Sequence, residues 1–129
     1  MANQFVVQLK NEPGAMATLA EALAARGVDL RAIGGGGIGD AGHVIMTTAD
    51  DDTTKAILDE GGYTYIEGES ILAEVDDRPG GMAVLSRQLA DAGVNIYGHL
   101  FLGRWGDRAM FAFVVDDPER ARPILERKR

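Results

Sequence analysis

Asn11–Leu30 reads NEPGAMATLAEALAARGVDL and Asp77–Ile96 reads DRPGGMAVLSRQLADAGVNI, and the likeness of these two stretches decides how the chain is divided. Pro13, Gly14, Met16, Ala17, Leu19, Leu23, Ala24, Gly27 and Val28 return as Pro79, Gly80, Met82, Ala83, Leu85, Leu89, Ala90, Gly93 and Val94, at a constant spacing of 66 residues. Self-similarity at a fixed period marks a duplicated structural unit. Met16, Leu19 and Leu23, like Met82, Leu85 and Leu89, fall at i, i+3 and i+7, which lines them along one face of a helix. Proline is expected at the first helical position, where its missing N–H would have had no partner. Gly27 and Gly93 are expected as left-handed helix stops.

Outward from the helices, FVVQL from Phe5 and ILAEV from Ile71 alternate as strands with one buried face. VDLRAI and VNIYGHLFL read as second strands, GDAG and RWGDR as turns, and HVIMTTA and AMFAFVV as third strands. The Asp-rich segments DDDTTKAILDEG and DDPERARPILERKR predict second helices, with Asp52 or Asp117 as cap and Pro118 at the first position. YTYIE from Tyr63 completes βαββαβ in the first copy, whereas the second runs to Arg129 with no such strand. The expected fold is α+β, two modules in tandem over 1–67 and 68–129, the second lacking a clear terminal strand. An unfinished sheet leaves an edge that favours oligomers. The last strand is apolar on both alternating sets, so its face away from the helices is expected to be covered too.

Composition narrows the function. Apolar residues form 46% of the 129 and charged residues 26%, which is a soluble globular composition. A formal net charge of −7, from 13 Lys and Arg against 20 Asp and Glu, repels phosphate backbones and anionic membranes, so neither nucleic acid nor membrane is expected as a partner. There is no Cys, which excludes disulfides, thiolate metal sites and thiol catalysis. MANQFVVQLK is not a secretory leader, and the expected location is cytoplasmic.

The order strand, Asn-Glu-Pro-Gly or Asp-Arg-Pro-Gly, helix, then Gly-Val-Asp-Leu or Gly-Val-Asn-Ile opening the next strand resembles the ACT domain family in both copies. The resemblance implies ferredoxin-like modules paired side by side into a continuous sheet, and a stand-alone tandem protein. It also implies a free amino acid or similar metabolite bound as a regulatory ligand at the seam between modules. It does not imply an enzyme; no cofactor is expected, and a homodimer that acts on a protein partner is. A module that keeps the pairing without any ligand is the alternative.

A free amino acid presents an ammonium and a carboxylate, so its site needs acceptors and donors side by side. The first N–H groups of a helix lack internal partners and carry partial positive charge, which suits Gly14, Ala15 and Met16, or Gly80, Gly81 and Met82, following Pro13 and Pro79, to an anion. By the resemblance, Asn11 and Asp77 take the family position ahead of the proline that contacts the ligand's polar head, and Asp29 and Asn95 the polar position opening the second strand. If the first turn faces the second strand of the other module, a site would hold Asn11 with Asn95, which resembles the family pattern, or Asp77 with Asp29, which suits an ammonium but repels a carboxylate. One good site and one degenerate site are expected. Against this, Asp or Asn before a helix is a common N-cap, and Met16 and Met82 share the leucine face and suit the core.

Other signals carry less. Gly34, Gly36 and Gly39 match a dinucleotide fingerprint, but that pattern needs a following helix and a strand comes next; a hairpin approach or bulge is expected instead. The clusters Asp50–Asp52 and Asp116–Asp117 lack the spaced oxygens of a calcium loop, and no metal is expected. His43 and His99 lie in different copies, and Ser70 and Ser86 sit in no nucleophile elbow. The Lys/Arg-Gly-Phe pattern of an RNA-binding domain is missing from the central strands.

Overall fold

A computed structural model describes residues 3–127 and divides the chain into two compact units, one ending at Gly68 and one beginning at Glu69. In the first, β1 (Asn3–Lys10), α1 (Ala15–Ala25), β2 (Leu30–Ile38), β3 (Ala41–Thr48), α2 (Asp51–Glu60) and β4 (Tyr65–Glu69) form a four-stranded sheet ordered β2-β3-β1-β4. The second has β5 (Ile71–Asp76), α3 (Gly81–Asp91), β6 (Ile96–Trp105), β7 (Arg108–Val115) and α4 (Pro118–Leu125), with a three-stranded sheet ordered β5-β7-β6. The fold is α+β in two βαββαβ-type modules, and no strand follows α4 among the described residues. None of the helices described is long and apolar enough to cross a membrane.

Period-2 burial on the strands meets period-3.6 burial on the helices. Phe5 and Val7 of β1 and Val44 and Met46 of β3 pack with Leu19 and Leu23 of α1 and Ile57 and Leu58 of α2. Ile71, Ala73 and Val75 of β5 and Phe113 and Val115 of β7 meet Leu85 and Leu89 of α3 and Ala121 and Leu125 of α4. Leu100, Ala112 and Val114 point to the opposite face and are buried as well, as the two-sided apolar pattern of β7 requires.

The repeated Leu-Ala-x-x-Gly-Val has a definite job. Gly27 (φ 69°) donates to the Ala24 carbonyl and Val28 to that of Leu23; Gly93 (φ 75°) donates to Ala90 and Val94 to Leu89. This is the Schellman closure, in which a left-handed glycine lets two final carbonyls be satisfied and drops the next valine into the core.

Several expectations are corrected. Pro13 and Pro79 lie in the turn before the helix, because Gly14 (φ 89°) and Gly80 (φ 91°) are left-handed and the helix starts only after them. The cap of α2 is Asp50, not Asp52: its carboxylate accepts the N–H and the hydroxyl of Thr53, and Asp51 and Asp52 fall in the first turn. Asp117 caps α4 through the Arg120 N–H, with Pro118 at the first position as expected. The last strand of the first unit begins at Tyr65, since Tyr63 closes α2 by donating to the Leu58 carbonyl. Of the two expectations for the glycine run, the hairpin approach holds and the bulge does not: Gly34–Gly37 pair regularly with β3 up to the turn, and the irregularity lies at Arg31. β6 repeats it at Tyr97 and adds a second at Leu102. That extra residue changes the repeat spacing from 66 to 67, so Gly37 corresponds to Arg104, Val44 to Phe111 and Asp50 to Asp117.

Candidate functional site

At one end of each sheet, the turn leaving the first strand faces the hairpin between the second and third. The hairpins turn through Gly39-Asp40 and Gly106-Asp107, each with its glycine at φ 61°. Asn11 donates its backbone N–H to the Asp40 carbonyl, and Asp77 donates to that of Asp107. These contacts tie the proline-glycine turn to the hairpin in both units.

No side chain caps α1 or α3, whereas Asp50 and Asp117 cap the other two helices. The capping explanation of Asn11 and Asp77 therefore fails. Ala15 and Gly81 donate to the Glu12 and Arg78 carbonyls, so these two amides are already engaged within the turn. The first intrahelical bonds run from Thr18 to Gly14 and from Val84 to Gly80, which leaves the amides of Met16 and Ala17, and of Met82 and Ala83, directed out of the helix start. Ala17 and Ala83 were missed in the sequence because the helix was started two residues too early. Gly81 is small for an internal reason: a Cβ there would stand 2.2 Å from the Asp76 carbonyl oxygen.

Beside the first turn lies a cavity of about 360 Å³ lined by Leu9, Asn11, Met16, Ile33 and Gly34–Gly36. A second, about 720 Å³, opens on the other side of the same turn between Lys10, Glu12, Ala15 and Tyr63. The corresponding cavity of the second unit is about 330 Å³ and is lined by Asp77, Pro79, Met82, Arg104 and Phe111. Met16 and Met82 thus both pack on the core and wall a cavity.

The two sites differ in charge. Asn11 donates from Nδ2 to the Gly39 carbonyl at 2.8 Å and lies against Gly37, where a Cβ would fall 2.6 Å from its Cγ. Asp77 is instead paired with Arg104, Nε to Oδ2 at 2.8 Å, and the guanidinium stands 4.7 Å from the centre of the Phe101 ring. Asp76 is held by Arg108 and by Arg78 at 3.2 Å. Arg104 escaped sequence reasoning, which took RWGDR only as a turn; the signal was the paired exchange of Asn11 with Gly37 for Asp77 with Arg104.

Asp29 and Asn95 sit at the far end of their own sheets. Asp29 accepts from the Ala49 amide and Asn95 donates to the Asp116 carboxylate, whereas the turns lie at the ends of β3 and β7 marked by Ala41 and Arg108. Seven strand steps, roughly 23 Å, separate the two ends of β3. Asp29 and Asn95 do not complete the site of their own unit. No group of three or more metal-ligating side chains occurs among the described residues.

No protein-family model matches the chain, and no curated protein matches its sequence. Among solved structures it is similar to protein BT0572 from Bacteroides thetaiotaomicron, with a TM-score of 0.72 and 19% identity over 97% of this chain and 86% of that one. It is similar also to the regulatory subunit of aspartate kinase from Thermus thermophilus, in a ligand-free form (TM-score 0.62, 20% identity, 97% and 87% covered). The counterpart subunit from Thermus flavus gives 0.64 and 18% over 98% and 92%. At these identities the likeness is one of fold: the chain has the tandem α+β architecture seen in these regulatory subunits.

Proposed function

We propose that this chain is a non-enzymatic regulatory sensor of the ACT type that binds a free amino acid or similar small metabolite at its proline-glycine turns. The observation that carries the reading is the uncapped start of α1 and α3 beside a cavity, in a chain whose other two helices are capped. Uncapped helical amides suit a carboxylate, and the neutral Asn11 offers a carbonyl oxygen to an ammonium. Cavities of a few hundred Å³ suit ligands of that size. The likeness of fold to subunits described as regulatory supports a role of this kind.

In this reading the modules are 1–67 and 68–129, the protein is a homodimer, and ligand binding alters a protein partner by favouring one packing arrangement over another. The site comprises Asn11, Pro13, Gly14, Ala15 and Met16 with their counterparts Asp77, Pro79, Gly80, Gly81 and Met82, of which Ala15 and Gly81 shape the turn. A thermal-shift screen against the amino acids and common metabolic acids tests it, because a ligand of the native state raises Tm by mass action. A selective rise with one chemical class is expected. A flat screen would transfer the reading to an interaction module without a ligand.

A further inference from the structure

We infer that Arg104 is a specificity-determining side chain that occupies the second turn as an internal cation, so that the first turn alone is open to an amino-acid head group. The inference rests on the binding reading above and adds which unit binds, and why.

Once the spacing of 67 beyond Leu102 is applied, Arg104 stands where the first unit has Gly37. Glycine there contributes no side chain, and Asn11 rests against its Cα, uncharged, bordering a cavity walled by Gly34, Gly35 and Gly36. Gly35 is held to glycine by the fold itself, since a Cβ would lie 2.2 Å from the His43 carbonyl oxygen, so this wall stays bare. At the corresponding strand positions the second unit carries Phe101 and Arg104, and Arg104 lines the cavity there. The Arg104 Nε–H donates to Asp77 at 2.8 Å, and the guanidinium stacks over Phe101. A ligand ammonium seeking the Asp77 carboxylate therefore meets a cation already bonded to it. Two independent contacts, one ionic and one to an aromatic face, hold Arg104 in that place.

The chain thus contains an internal pair of matched sites, one neutral and open, the other charged and self-occupied. Competition from a tethered cation lowers apparent affinity by the fraction of time the site is free.

The test uses the whole chain and glycine, which carries the ammonium and carboxylate with no side chain, titrated at high millimolar concentration while backbone amides are followed by NMR. In the wild type the Met16 and Ala17 amides are expected to shift and those of Met82 and Ala83 to stay. Arg104→Gly, which copies Gly37, and Asp77→Asn, which copies Asn11, should each make Met82 and Ala83 respond. Using two variants guards against a local folding defect in either. Response of both turns in the wild type, or silence of the second turn in both variants while the first responds, would overturn the inference and leave the binding reading intact. Silence of both turns in all three proteins would remove the binding reading and this inference with it.

Discussion

Gly14 and Gly80 show how one backbone angle sets the chemistry of a turn. At φ 89° and 91° neither is helical, so each helix begins one residue later with its first amides uncapped. A Cβ at either position would meet nothing within 4 Å, so the obstacle to substitution is backbone strain and not crowding. Gly14→Ala and Gly80→Ala should each cost about 1–2 kcal/mol, the left-handed penalty of an L-residue, in urea denaturation. Gly35→Ala should cost more than either, because its Cβ would strike the His43 carbonyl, which is backbone and cannot swing away. If Gly35→Ala proves as mild as Gly14→Ala, the close pairing of β2 with β3 is wrong. The glycines were conspicuous in the sequence, but which of them answer to φ and which to a neighbour was not, because the neighbours come from other strands.

Among the elements, the capped helices offer contrasting tests. Asp117→Ala should lower stability by about 1 kcal/mol, the ordinary value of an N-cap, with α4 amides losing protection first. Asp50 behaves differently with pH: the hydroxyl and then the backbone N–H of Thr53 favour its ionised form and hold its carboxyl below the usual 3.8. Its stabilisation is present above 3.8 and lost as pH falls through the lower folded value, so the Tm advantage of wild type over Asp50→Asn should vanish in acid. A gap that persists at the acid end would show that the cap acts without its charge. At the other extreme the Tyr65 hydroxyl donates to Asp59, which pushes its pKa up to about 12 from 10. Stability from that bond is intact below 10 and is lost as pH rises toward 12, and Tyr65→Phe should flatten this alkaline limb of the Tm profile. The sequence placed a cap two residues late at Asp52 because Asp50, Asp51 and Asp52 are alike in capping chemistry, and the 66-residue spacing carried past Leu102 points to Asp51 and not to Asp50. A bulge leaves no signature in composition or periodicity, since both neighbours of the extra residue remain apolar.

For the molecule as a whole, the salient fact is that each unit closes a core of its own. Leu19 and Leu85, equivalent and fully buried, should each cost about 2–5 kcal/mol on replacement by Ala. Amide exchange should show the loss centred on residues 3–68 for Leu19→Ala and on residues 69–127 for Leu85→Ala. What the sequence determined by itself was the duplication, the order of elements, the Schellman glycines Gly27 and Gly93, and the core leucines. All of these are encoded locally, in periodicity and in the conformational demands of single residues. Only the tertiary structure decided that Asn11 and Asp77 do not cap their helices, that Asp29 and Asn95 lie at the far end of their sheets, and that Arg104 sits on Asp77. Those facts depend on strand register, and register is set by pairing between segments distant in the chain, where one extra residue at Leu102 redirects every side chain beyond it.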